Sequence, residues 1–194
     1  MAEFSHVTFG YESRFAALRG GRPVLEDFSL SVPEGARLCL QGPSGCGKTT
    51  VLRLAMGLER PWKGKISGLE GLAFSAVFQE DRLLPQKTVL ENTALFSTAA
   101  EAEMLLRQLG LGDALQALPA ELSGGMRRRA ALARALAHPF EILILDEAFT
   151  GLDDTAKGIS LAAVKERLTG KTFLMATHDP AEAETLGAEF VTLR

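Results

Sequence analysis

Gly42-Pro43-Ser44-Gly45-Cys46-Gly47-Lys48-Thr49 fills every fixed position of the pattern G-x-x-x-x-G-K-[ST]. Glycines let a main chain wrap closely around an anion, and the N–H groups of a loop that opens a helix point inward with the positive end of the helix dipole. Such a loop holds phosphates. Lys48 is expected to reach the β- and γ-phosphates of a nucleotide, and the Thr49 hydroxyl to ligate Mg²⁺. A chance match in a chain of this length has odds of about one in a hundred. The flanks argue further against chance, because the apolar run Arg37-Leu38-Cys39-Leu40-Gln41 reads as a strand and Thr49 to Leu58 has helical spacing that stops at Gly57.

A second candidate anion site is Leu122-Ser123-Gly124-Gly125-Met126-Arg127, where a serine and two glycines open a helix running to Ala137. Alone it reads rather as an ordinary serine cap with glycines in its approach. One nucleotide has no use for two such sites in one chain unless the second serves a neighbour's nucleotide. Asp146 and Glu147 end the apolar run Ile142-Leu143-Ile144-Leu145, where a carboxylate is expensive unless it serves a cation, and Glu147 has the chemistry of a general base. His178 follows the apolar run Thr172 to Thr177; by itself it reads as a packed or surface residue. Arg127-Arg128-Arg129 reads as a solvated helix face rather than a nucleic-acid surface.

The elements that must position these groups are an α/β set. Val7 to Tyr11 and Val24 to Val32, separated by the turn signal Gly20-Gly21-Arg22-Pro23, read as edge strands of an antiparallel lobe. Glu101 to Leu118 and Leu122 to Ala137 are rich in Ala and Leu and read as helical, as does Asp154 to Leu168 between the two buried strands. The expectation is a parallel sheet with a helical insertion over about residues 80–137 in one domain spanning 1–194. With 194 residues, 46% of them hydrophobic, the chain can bury one core. Its net charge of −3 offers no field to attract nucleic acid, and its two cysteines make no disulfide framework. No leader segment or membrane-length apolar run is read, so the expectation is a cytoplasmic protein that would serve a membrane from outside the bilayer.

In this order of motifs the chain resembles the nucleotide-binding domains of ABC transporters. Leu122 to Met126 looks like the family signature, with Met126 where Gln is usual. Val77-Phe78-Gln79 resembles the glutamine loop, Ile142 to Glu147 the Walker B strand, Gly151-Leu152-Asp153 the dimer-contact loop and Thr177-His178-Asp179 the histidine switch. The resemblance implies a P-loop NTPase core of RecA-like type, with an N-terminal antiparallel lobe, and ATP hydrolysis that drives transport. It implies nucleotide contacts from Gly42, Pro43, Ser44, Gly45, Cys46, Gly47, Lys48, Thr49 and Thr50, and from Ser123, Gly124, Gly125 and Asp153 across a dimer. Catalysis would fall to Glu147, His178, Gln79 and Lys48, the Mg²⁺ to Thr49, Gln79 and Asp146, and adenine stacking to Tyr11 or, failing that, Phe9.

Implied partners are a second copy or similar subunit, transmembrane permease subunits at the inner face of the cell membrane, and a periplasmic or surface solute-binding protein. Phe78 to Pro85 looks like the importers for nitrate, sulfonates, taurine and thiamine precursors. The alternatives are an exporter or lipid-extraction ATPase, or a soluble non-transport ABC ATPase. Three departures stand out. The stretch between the phosphate-loop helix and Gln79 is short for the family, which would trim the antiparallel lobe. Ala148 stands where Pro is usual, and the chain ends at Arg194 with no regulatory tail domain.

Overall fold

The structure is a computed structural model and describes residues 2–11 and 22–193. Most of the long turn expected from Glu12 to Arg22, including Gly20 and Gly21, lies outside the described residues. The strands are β1 (Ala2–Phe9), β2 (Leu25–Val32), β3 (Arg37–Gln41), β4 (Lys63–Ser67), β5 (Phe74–Val77), β6 (Ile142–Asp146), β7 (Thr172–Ala176) and β8 (Glu189–Thr192). The α-helices are α1 (Lys48–Ala55), α2 (Val89–Thr93), α3 (Ala99–Gln108), α4 (Gly124–Ala137), α5 (Asp154–Arg167) and α6 (Pro180–Leu186).

Among the described residues the strands form an antiparallel sheet in the order β2-β1-β4 and a parallel sheet in the order β5-β6-β7-β3-β8. β1 therefore lies at the centre of its sheet, not at an edge as its sequence suggested. It also starts at Ala2 rather than Val7. Phe4, Val7 and Phe9 all face inward because the ladder shifts register between Phe4 and Val7, at His6 with φ 51°; this bulge hides the alternation from a reader of the sequence.

The parallel sheet divides the interior. Ile142 and Ile144 face the core under the antiparallel sheet and α1, whereas Leu143 and Leu145 face the core under α3 to α6. Both faces of β6 are covered, which is why its sequence is an unbroken apolar run. Phe4 and Phe173 are fully buried, each worth about 2 to 3 kcal/mol in apolar surface removed from water.

Helix ends differ from their sequence expectations. α1 ends at Ala55, not Leu58. α3 ends at Gln108, where Gly110 (φ 70°) reverses the chain, and a 3-10 turn at Gly112–Ala114 replaces the helix expected to continue to Leu118. A second 3-10 turn at Pro119–Glu121 separates it from α4. α2 and α3 each start with a capping box, through Thr88 with Glu91 and Thr98 with Glu101.

Because β7 lies between β6 and β3, the carboxyl ends of three strands deliver Asp146, His178 and the phosphate loop side by side. That edge of an open parallel sheet is where ligands bind.

Candidate functional site

The phosphate loop fills the gap between β3 and α1. Gly47 caps α1 at φ 101°, a left-handed backbone that strains any residue with a Cβ, and a Cβ there would also press on Leu25 Cδ2 at 2.8 Å. At Gly42 a Cβ would meet Cys46 Sγ at 2.6 Å and the Leu193 carbonyl at 2.7 Å. Lys48 is buried and its Nζ donates to the carbonyls of Gly42 at 2.8 Å and Pro43 at 3.2 Å. Among the described residues no carboxylate pairs with it.

A cleft of about 390 Å³ opens over this loop, and Lys48, Thr49, Gln79, Asp146, Glu147 and His178 all line it. Larger hollows elsewhere on the surface lack this chemistry. The Thr49 hydroxyl donates to Asp146 Oδ1 at 3.2 Å. Asp146 is 4% exposed, and burial pushes its carboxyl above the usual range against the Thr49 hydrogen bond and the charges of Arg53, Arg128 and Lys48. Glu147 Oε1 lies 3.2 Å from His178 Nε2, with the carboxylate sheltered and the imidazole largely exposed.

Glu147 is held in an uncommon shape. Its φ of 53° is left-handed, which costs a residue with a Cβ about 1 to 3 kcal/mol unless its surroundings impose it. Its N–H donates to the Ala176 carbonyl at 2.9 Å, its carbonyl accepts from Arg128 Nη2 at 2.7 Å, and Thr150 Oγ1 donates to Oε2 at 3.3 Å. Ala148, where proline was expected, is buried directly after it.

Tyr11 stands at the cleft rim, about half exposed, with its hydroxyl 3.1 Å from Thr50 Oγ1 and its ring 5.2 Å from that of Phe9. Phe9 is buried between Tyr11 and Trp62, so it offers no face for stacking. Pro43, Ser44 and Gly45 are exposed at the loop tip, and the Cys46 sulfur turns back towards Gly42.

Ser123, Gly124 and Gly125 do not line the cleft. Ser123 caps α4, its Oγ accepting from the Met126 N–H at 3.2 Å, and both Ser123 and Gly124 face outward. Gly125 lies beside Gly151 and Leu152. Asp153 also stands outside the cleft, its carboxylate accepting from the Ala156 N–H at 2.8 Å to cap α5.

The arginine triplet corrects its sequence reading. Arg128 is 5% exposed, and Arg129 folds back on the carbonyls of Leu109 and Gly110, so these residues are not a solvated face. Lys157 was also missed; its Nζ reaches Asp179 at 2.9 Å and Glu182 at 3.0 Å, tying α5 to the loop that carries His178. Those bonds hold the ammonium above its usual range, and Lys157 with the Ala181 N–H holds Asp179 below its own. No sequence pattern marks Lys157, because its partners lie beyond the end of its own helix.

Comparison with known proteins agrees with this geometry. The ABC transporter family model matches residues 25–150. An aliphatic sulfonates import ATP-binding protein of Burkholderia cenocepacia is 40% identical over 92% of the chain and 57% of its own length. That of Cupriavidus necator is 43% identical over 89% of the chain and 62% of its length, and one of Pseudomonas syringae is 38% identical over 90% and 68%. A dimeric ATP-binding cassette solved in a post-hydrolysis state with ADP and Pi superposes with a TM-score of 0.86 at 26% identity, covering 100% of this chain and 94% of that one. The fold is that of P-loop NTPases. The chain belongs to the ABC transporter family. It spans 57 to 62% of the length of the first of the curated relatives it matches.

Proposed function

We propose that this chain is the ATP-binding and ATP-hydrolysing subunit of an ABC importer for a small solute, working as one half of a head-to-tail dimer. One observation carries the reading: Lys48, Asp146, Glu147 and His178 converge on a single cleft, while Ser123 to Gly125 stand outside it. A nucleotide in the cleft of one copy would meet those residues only from a second copy, with Asp153 near the same boundary. The relatives named for aliphatic sulfonate import favour a small-solute importer of that type, with permease subunits at the inner membrane face and a solute-binding protein as partners.

The residues at the cleft fit Mg²⁺. They offer one buried carboxylate, Asp146, and one hydroxyl, Thr49, already in contact, with Gln79 on the same cleft. Among the described residues no cluster of three His, Cys, Asp or Glu could cage a metal alone, and such a sparse set suits a cation that shares phosphate oxygens. When bound, Mg²⁺ neutralises charge on the β- and γ-phosphates. Lys48 would exchange its two main-chain carbonyls for phosphate oxygens. Glu147 would accept the proton of the attacking water or orient it, and His178 would sense the γ-phosphate. Tyr11 would stack on adenine. Losing the γ-phosphate removes contacts made only by the closed dimer and shifts the population towards the open one. The helices between β5 and β6 would form a lobe, about residues 80–137, that passes this motion to the permease from a groove near Gln79 to Leu84.

The test is Mg-ATP turnover by the native chain and by Glu147→Gln. The substitution should cut turnover by about 100-fold or more while an ATP-dependent dimer persists on gel filtration. Full turnover by the variant would remove Glu147 from its role.

A further inference from the structure

The guanidinium of Arg128 joins two loops that the sequence separates by nearly seventy positions. Nη1 donates to the Phe78 carbonyl at 2.7 Å and to Asp81 Oδ1 at 3.1 Å, and Nη2 donates to the Glu147 carbonyl at 2.7 Å. The side chain is 6% exposed, so each bond forms where water does not compete. Its planar fork holds its N–H donors at fixed spacing and angle to these three acceptors, a preorganisation that an ammonium on a flexible stem lacks.

Each loop has further supports, and they differ. The loop carrying Gln79 is also held by Arg134, which donates to the carbonyls of Asp81 at 3.0 Å and Arg82 at 2.7 Å. Arg134 does not touch Glu147. On the other side, the Glu147 N–H donates to the Ala176 carbonyl at 2.9 Å, and the Glu147 carbonyl accepts from the Thr150 N–H at 3.2 Å within its own turn and from Arg128 Nη2 at 2.7 Å, the bond that reaches it from another element. A left-handed residue with a Cβ persists only where its surroundings over-determine it. The three bonds to the Glu147 main chain, from Ala176, Thr150 and Arg128, are those constraints, and the shorter of the two at its carbonyl belongs to the same side chain that holds the Gln79 loop.

We infer that Arg128 is a positioning residue that makes the Gln79 loop and the Glu147 backbone one mechanical unit. Displacement of the loop from Phe78 to Asp81 therefore turns the Glu147 carboxylate. The direction of influence also reverses: a change at Glu147 is felt at the loop. This rests on the proposed ATPase role for its kinetic consequence, but the linkage itself rests only on the three bonds of Arg128.

The experiment compares native protein, Arg128→Gln, Arg128→Lys and Arg134→Gln, each as the full chain, by hydrogen exchange without nucleotide and by Mg-ATP kinetics. Arg128→Gln should speed exchange in both 78–82 and 147–150 and lower kcat by on the order of 10- to 100-fold, with KM within about twofold. Arg128→Lys should recover part of kcat. Arg134→Gln controls for lost stability in the same loop; it should speed exchange at 78–82 only and keep kcat within about twofold of native. The inference falls if Arg128→Gln leaves exchange at 147–150 unchanged, or if Arg134→Gln lowers kcat as much as Arg128→Gln. A native chain that turns over ATP beside an equally active Arg128→Gln also overturns it. A native chain with no turnover refutes the ATPase reading instead, and the exchange data then decide the linkage alone.

Discussion

His178 Nε2 lies 3.2 Å from Glu147 Oε1, although the two residues follow different strands of the parallel sheet. The two side chains meet at the cleft over the phosphate loop. Replacing His178 with Ala should lower Mg-ATP turnover by about 10- to 100-fold and leave nucleotide binding nearly intact, as measured by phosphate release and by titration with a fluorescent nucleotide. Equal losses in both would assign His178 to binding.

Asp146 makes a prediction about pH. Its carboxyl titrates above the ordinary value because burial penalises the charged form, so the fold binds this proton more tightly than the unfolded chain does. Stability from this group is therefore present below the ordinary carboxylate pKa of about 3.9 and is lost as pH rises through the raised value. Asp146→Asn should melt at a higher temperature than native at pH 7 without nucleotide, and the gap should close in acid. The same variant should lose Mg-ATP turnover. A lower melting temperature at pH 7 would mean that the Thr49 hydrogen bond outweighs desolvation.

Tyr11 presents an exposed ring at the cleft rim. Tyr11→Ala should weaken ATP binding by the stacking term, about 1 to 3 kcal/mol, whereas Tyr11→Phe keeps the ring and loses only the bond to Thr50. Calorimetric titration of the two variants separates the contributions.

Complementation tests the dimer. Lys48→Ala and Ser123→Arg each destroy both sites of a homodimer. Mixed, they should regain measurable turnover, because a head-to-tail heterodimer contains one site with Lys48 from one copy and Ser123 from the other. No recovery in a mixture shown to form heterodimers would reject that arrangement.

The phosphate loop, the Asp146-Glu147 pair and the buried strand before them were legible because their constraints are local: glycine conformations, a short apolar run and adjacent residues. Lys63 to Ser67 forms β4 at a sheet edge with charged side chains pointing out, so no hydrophobic pattern announced it. Arg128 was unreadable for another reason. Its position follows a serine cap on a helix, and only the approach of α4 to the ends of β5 and β6 turns a basic triplet into a buried three-way joint. Phe9 was a fair candidate for stacking until Trp62 covered it.

The bonds from Lys48 to the carbonyls of Gly42 and Pro43 give the loop a resting occupant of its own. The ammonium is buried and sets two of its three N–H groups on the loop's own carbonyls, so one side chain braces the curve from inside. In the proposed reading ATP would outcompete that internal ligand, and its affinity would be the difference between two sets of contacts to one cation. The same two carbonyls would take the ammonium back when the nucleotide left.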